Sequence, residues 1–199
     1  NIKYIPRPYI CYNAGMNFVD QTVLNFFVSS RVEWLSFIIL VITYSGSYVV
    51  ISGLTFLSVV SFYIHKHTAR ILPLLVSISG SAATVYILKH VFYRARPLAE
   101  ALYLETSSSF PSGHATMAMA LYGFILYTIW KHDKHYLKNS FIVSLSALII
   151  LVGASRLYLG VHYLSDVLVG YVIGFIWILL STKLHKYLLH RQQIKTNNL

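Results

Sequence analysis

The sequence predicts an all-α protein, a polytopic membrane helix bundle, and three observations predict it. Of the 199 residues, 56% are hydrophobic and only 11% are charged, with a mean hydropathy of +0.61, far more apolar surface than a soluble globule can hide. Apolar runs recur at about 35–64, 71–91, 115–130, 141–152 and 167–180, each near or extendable to the roughly 20 residues a helix needs to cross a bilayer. The basic residues lie mostly between these runs rather than within them. Five spans are visible and no separate soluble domain.

Residues 1–33 read as an external N-terminal segment. After Pro6 and Pro8, which interrupt any signal-peptide core, Phe18, Val19, Val23, Leu24, Phe26 and Phe27 alternate with Asp20, Gln21, Thr22 and Asn25. That pattern suits either a helix lying in the membrane interface or an ordinary segment packed on the bundle. The bundle itself occupies 34–188. Its first run is long for one crossing and carries Tyr44-Ser45-Gly46-Ser47 in its middle, where the helix can tilt or bend, or admit a close neighbour. The second run passes out into a polar loop at 98–111; Glu100 and Glu105 in it, like Tyr93 and Arg94 beside it, stand where they could tune the choice of ligand, although a solvated loop is the favoured reading for the two glutamates. The loop ends at the start of the third span. A short connection at 155–166 joins the fourth and fifth, and 189–199 reads as a basic cytoplasmic tail.

Alternating the spans across the bilayer sorts the cations. Lys66, Arg70, Lys131, Lys134, Lys138, Lys183, Lys186, Arg191 and Lys195 fall on one side, which the positive-inside rule assigns to the cytoplasm. The net charge of +10 is scattered rather than gathered on a helix or patch, so no nucleic-acid partner is expected. The single cysteine, Cys11, excludes an internal disulfide framework, and no CxxC pair or HExxH motif points to a metal; no cofactor is expected.

The opposite side carries three clusters. Lys89 and Arg96-Pro97 stand where the second span runs out; they are either a snorkelling lysine and a helix-end arginine, or a pair of cations for phosphate, with the guanidinium supplying a planar fork of donors. Pro111-Ser112-Gly113-His114 opens the third span. Ser112 can cap the helix and Gly113 can admit a ligand to its N-terminal amides, but capping does not explain a titratable histidine there. Ser155-Arg156, His162 and Asp166 bridge the last two spans, with His162 and Asp166 spaced i, i+4 so that the carboxylate can hold one ring nitrogen. A buried histidine merely satisfied by its aspartate is the competing reading. All three clusters reach one face of the membrane although their spacing does not require it, and together they make an anion site with a nucleophile and an acid.

These residues resemble the three signature motifs of the type 2 phosphatidic acid phosphatase superfamily, KxxxxxxRP, PSGH and SRxxxxxHxxxD, each complete here. The apolar spans are similar to its integral-membrane lipid-phosphatase branch. The resemblance implies His162 as nucleophile forming a phosphohistidine, Asp166 orienting it, and His114 protonating the leaving oxygen. Lys89, Arg96, Ser112, Gly113 and Arg156 would bind the phosphoryl oxygens, without a metal. It also implies six membrane helices, so that a first helix is expected upstream of Asn1, unless residues 1–30 partly replace it. The partners it implies are the bilayer and a lipid phosphate. From the resemblance and the outward-facing site, the expected protein is a bacterial plasma-membrane phosphatase acting on undecaprenyl pyrophosphate or phosphatidylglycerol phosphate, with broad action on phosphatidic acid as the alternative. An anion or lipid transporter, in which the cluster holds its ligand without cleaving it, is the competing class.

Overall fold

The structure is a computed structural model describing residues 17–97, 101–103, 105–132 and 137–197. The described residues form seven α-helices: α1 Phe18–Ser29, α2 Glu33–Tyr44, α3 Tyr48–Ile64, α4 Ile71–Phe92, α5 Gly113–His132, α6 Lys138–Tyr158 and α7 Leu164–Asn197, with a 3-10 turn at Thr68–Arg70 before α4. The segments 1–16 and 198–199, with Cys11, Pro6 and Pro8, and the loop residue Glu100 lie outside the described residues.

By length and composition, Thr68–Phe92, Lys138–Tyr158 and Leu164–Arg191 are each apolar enough to cross a membrane, and α2 with α3 passes as one span bent by 47°. The bend falls at Ser45-Gly46-Ser47, where Ser47 Oγ accepts from Val50 N at 3.3 Å to cap α3, and Tyr122 Oη donates to the Ser45 carbonyl at 2.7 Å. A Cβ on Gly46 would meet Val152 Cγ1 at 2.6 Å and the His114 carbonyl at 3.3 Å. Glycine therefore lets the kink press onto the starts and ends of helices that carry the site.

The run at 115–130 is one of the five expected spans, and it forms a helix of its own. Its helix, α5, is not among those long and apolar enough to cross by themselves. The reason is its position: it packs against α3, α4, α6 and α7, and Ala115, Ala118, Ala120, Leu121 and Phe124 are completely buried. A helix surrounded by helices need not offer lipid an apolar surface. Small residues bring its neighbours close, as in other membrane bundles where packing rather than water exclusion drives association. On α7, a Cβ at Gly174 would lie 2.7 Å from both the Thr116 carbonyl and Met119 Cβ, and one at Gly170 would lie 2.9 Å from the Ser112 carbonyl. Between α4 and α7, the Trp177 ring lies over Gly80, and its Nε1 donates to Thr84 Oγ1 at 3.0 Å.

The amphipathic stretch of the N-terminal segment is a helix. Its Val23 and Phe27 pack on a cluster of Ala115, Leu157 and Val167, Asp20 and Leu24 are buried, and Phe18 and Phe26 are exposed. At the far end of the chain α7 continues without a break through residue 189 to Asn197.

Candidate active site

Three turns at one end of the bundle carry the polar residues. Tyr93 adopts a left-handed backbone, φ 39, which stops α4 and sends Arg94 and Arg96 back over the bundle end. The following loop is pinned by Ser109 N to the Arg94 carbonyl at 2.8 Å and by Leu102 N to the Leu159 carbonyl at 3.0 Å. Between α6 and α7 the chain turns at Gly160, φ 69, a conformation glycine adopts at little cost. This tight link sets His162 beside Asp166 on the first turn of α7.

His162 is buried, its Nδ1 3.5 Å from Asp166 Oδ2 and its Nε2 3.2 Å from Arg96 Nη1. With the proton on Nδ1 toward the carboxylate, the Nε2 lone pair accepts from Arg96 Nη1, a donor it must leave before it can attack a ligand. Burial, with help from the Arg96 and Arg156 charges and against Asp166, pushes the imidazole down to about 4 from its ordinary 6.5, so at neutral pH it is uncharged. Asp166 is held on both oxygens. Oδ2 accepts from Tyr163 N at 2.9 Å and from Ser109 Oγ, and Oδ1 from Arg94 Nη1 at 2.6 Å.

Opposite lie the cations. Lys89 Nζ donates to Ser107 Oγ at 3.4 Å and to the Ser108 carbonyl. Arg96 donates to the Ser107 and Val161 carbonyls, both at 2.7 Å, and pairs with Glu105 Oε2 at 2.5 Å. Arg156, at the end of α6 and with no exposed surface, reaches Thr43 Oγ1 at 2.9 Å, Tyr103 Oη and Glu105 Oε1. Glu105 is therefore not the solvated loop residue its composition suggests. Burial alone would raise its pKa, but Arg156 and Arg96 outweigh burial and hold it at about 2. Its sequence signal was weak: an acid in a polar loop, distinguished only by following Arg96 at short range.

Ser112 is fully buried, and its Oγ has no hydrogen-bond partner among the described residues, nor has Arg156 Nε. The expected side-chain cap at Ser112 is thus not made; the backbone Ser112 N donates to the Asp166 carbonyl at 3.0 Å instead, tying α5 to α7. At Gly113 the close neighbour is Tyr48, whose hydroxyl would stand 2.7 Å from an added Cβ. His114, half-buried, has Arg156, Glu105, His162 and Arg96 as its ionisable neighbours. All eight residues singled out by motif are thus gathered at one end. Arg94 touches Asp166, Ser165 and Asp20 rather than the cation cluster. Ser109, Tyr103, Thr43 and Asp20 join the network without any motif to mark them; Asp20 alone carries a hint, as the one acid in an apolar helix. Among the described residues no three of His, Cys, Asp or Glu gather as metal ligands.

A family model for the PAP2 superfamily matches residues 70–189. Phosphatidylglycerophosphatase B of Bacillus subtilis (strain 168) is 32% identical over 157 residues, 78% of this chain and 77% of the relative. The crystal structure of a transmembrane PAP2 type phosphatidylglycerolphosphate phosphatase from Bacillus subtilis is similar with a TM-score of 0.78 and 29% identity, over 84% of this chain and 85% of that one. That of Aquifex aeolicus LpxE gives 0.66 and 27% over 84% and 97%.

Proposed function

Since the chain belongs to the PAP2 superfamily and is a membrane lipid phosphatase, we propose that it hydrolyses phosphatidylglycerol phosphate through a phosphohistidine on His162. The observation that carries this reading is a charge imbalance. Three cations, Lys89, Arg96 and Arg156, surround one carboxylate, Glu105, while Asp166 is turned toward Arg94 and His162. The excess of cations on this face, beside donors at Ser112 Oγ and Arg156 Nε that have no hydrogen-bond partner among the described residues, suits a dianionic phosphate monoester. The similarity to phosphatidylglycerophosphatase B supports this choice of substrate.

In the first step the His162 Nε2 lone pair attacks phosphorus in line with the ester oxygen. The P–N bond forms as the P–O bond breaks, and His114 gives its proton to the departing glycerol oxygen. Asp166 stabilises the positive charge that develops on the imidazole. Lys89, Arg96 and Arg156 offset charge on the equatorial oxygens, with Ser112 Oγ and the Gly113 amide as further donors, so positioning and electrostatics supply most of the catalysis. In the second step water attacks phosphorus, His114 takes its proton, the P–N bond breaks, and inorganic phosphate leaves. No metal enters either step.

The site end lies opposite the cations at Lys66, Arg70, Lys131, Lys138, Lys183 and Lys186, which supports a plasma-membrane protein with its site facing out of the cytoplasm. A head group there can meet the cations while its acyl chains stay in lipid.

The test is phosphate release by purified protein in detergent with EDTA, on phosphatidylglycerol phosphate, undecaprenyl pyrophosphate and phosphatidic acid. Wild type should be most active on the first, with His162→Ala and His114→Ala inactive though folded. Acid quench after a pulse of labelled substrate should trap label on wild type and not on His162→Ala. Equal turnover by His162→Ala would remove the nucleophile, and preference for undecaprenyl pyrophosphate would replace the substrate.

A further inference from the structure

Asp20 is the one charged residue in α1, FVDQTVLNFFVS, and it is 3% exposed. A carboxylate so buried requires partners, and it has three donors: Arg94 Nη2 at 2.8 Å, Ser165 Oγ at 2.6 Å and Ser165 N at 2.9 Å. Ser165 lies in the first turn of α7, so its amide is one that the helix leaves free, and an anion there also suits the helix dipole. Arg94 continues the chain of contacts. Its Nη1 donates to Asp166 Oδ1 at 2.6 Å and to Ser165 Oγ at 2.7 Å, and its guanidinium lies 4.4 Å over the Tyr163 ring. The other Asp166 oxygen is the one facing His162. The end of α1 is tied down separately, by Arg31 Nε to the Tyr158 carbonyl at 2.8 Å and Val32 N to Tyr158 Oη at 3.0 Å.

From this network we propose that Asp20 is a positioning residue for His162, acting through Arg94 and Asp166, a role that rests on His162 being the nucleophile. Arg94 with Asp166 alone is a neutral pair. With Asp20 added, two carboxylates share one guanidinium, and the trio carries one net negative charge toward an imidazole that becomes an imidazolium during attack. Asp20 also fixes where Arg94 sits, which leaves Asp166 Oδ2 aimed at His162 Nδ1. The N-terminal helix is in this way a structural part of the catalytic apparatus, although it lies far in sequence from every motif.

Among the described residues, the other ionisable groups facing His162 and Asp166 are Lys89 on α4, Arg96 and Glu105 on the following loop, His114 on α5, Arg156 on α6, and Tyr163. The cations among them oppose an imidazolium, so removing either half of the Asp20–Arg94 pair shifts a balance in a known direction.

The experiment measures kcat, KM and the pH profile of kcat on phosphatidylglycerol phosphate for Asp20→Asn, Asp20→Glu, Arg94→Gln and the Asp20→Asn/Arg94→Gln double variant, beside His162→Ala. Asp20→Asn should lower kcat about tenfold, as loss of an outer-layer partner commonly does, with KM within about twofold. Its acid limb should move to lower pH by about one unit, because losing a negative charge eases deprotonation of the imidazole. Arg94→Gln should move the limb to higher pH, the double variant should return it toward wild type, and Asp20→Glu should keep it. Limbs that stay put, or move the same way in both single variants of monodisperse protein, overturn the role. If Asp20→Asn does not fold, Arg94→Gln decides alone, and a limb that fails to rise overturns it. Turnover surviving in His162→Ala would instead overturn the nucleophile assignment beneath it.

Discussion

Arg96 Nη2 and Glu105 Oε2 stand 2.5 Å apart, and the other oxygen of the same carboxylate meets Arg156. One internal anion thus occupies two guanidinium groups proposed above to bind the phosphoryl oxygens, so a substrate bound in that way would have to displace it.

Replacing Glu105 with Gln should strengthen competitive inhibition by inorganic phosphate severalfold, since no charged group then competes for Arg96 and Arg156. The same variant leaves those guanidinium groups without an anion, a change that costs roughly 3–5 kcal/mol when a buried pair is broken. Its melting temperature in detergent should fall and recover when phosphate is added. Unchanged phosphate inhibition would show that the carboxylate does not contest the site.

Ser112→Ala separates binding from stability. Its hydroxyl is buried without a partner among the described residues, and a hydrogen bond to a charged ligand is worth about 1.5–3 kcal/mol. Melting should be unchanged or slightly raised, while kcat/KM falls by roughly tenfold or more. A variant that melts lower with kinetics intact would make Ser112 structural.

The pH dependence follows from His162, held at about 4 against an ordinary 6.5 by burial first and then by Arg96 and Arg156. Between those values the unfolded chain binds a proton that the folded one does not, so this group's contribution to stability is complete above pH 6.5 and is lost progressively as pH falls to 4. For activity, the acid limb of kcat/KM should lie near pH 4 rather than 6.5. A limb at 6.5 in the free enzyme would place the nucleophile in a far wetter setting.

Gly174→Ala should destabilise the bundle by about 1–3 kcal/mol through overpacking against α5, because its Cβ would stand 2.7 Å from a backbone oxygen. Gly53→Ala, where nothing lies within 4 Å, should instead be neutral or stabilising by up to about 1 kcal/mol. Thermal melts of the two in one detergent make the comparison, and similar losses in both would indicate that α5 and α7 can separate without cost.

Much of this protein was legible in its sequence. Apolar runs near the length of a bilayer crossing announce helices, because lipid leaves backbone amides no other partner. Lys89, Arg96, His114, Arg156, His162 and Asp166 could be read as one site, because helices that alternate across a membrane bring every second connection to the same face. Tertiary structure decided what depends on distance between segments remote in the chain. It made α5 an enclosed helix with less need for apolar residues, and it placed Glu105 between two arginines where composition suggested solvent. It also left the Ser112 hydroxyl without a cap to make, and carried Asp20 from an N-terminal helix to within 2.8 Å of Arg94. Periodicity and charge count reveal which residues need a polar partner; only the packing of the helices determines which partner each one finds.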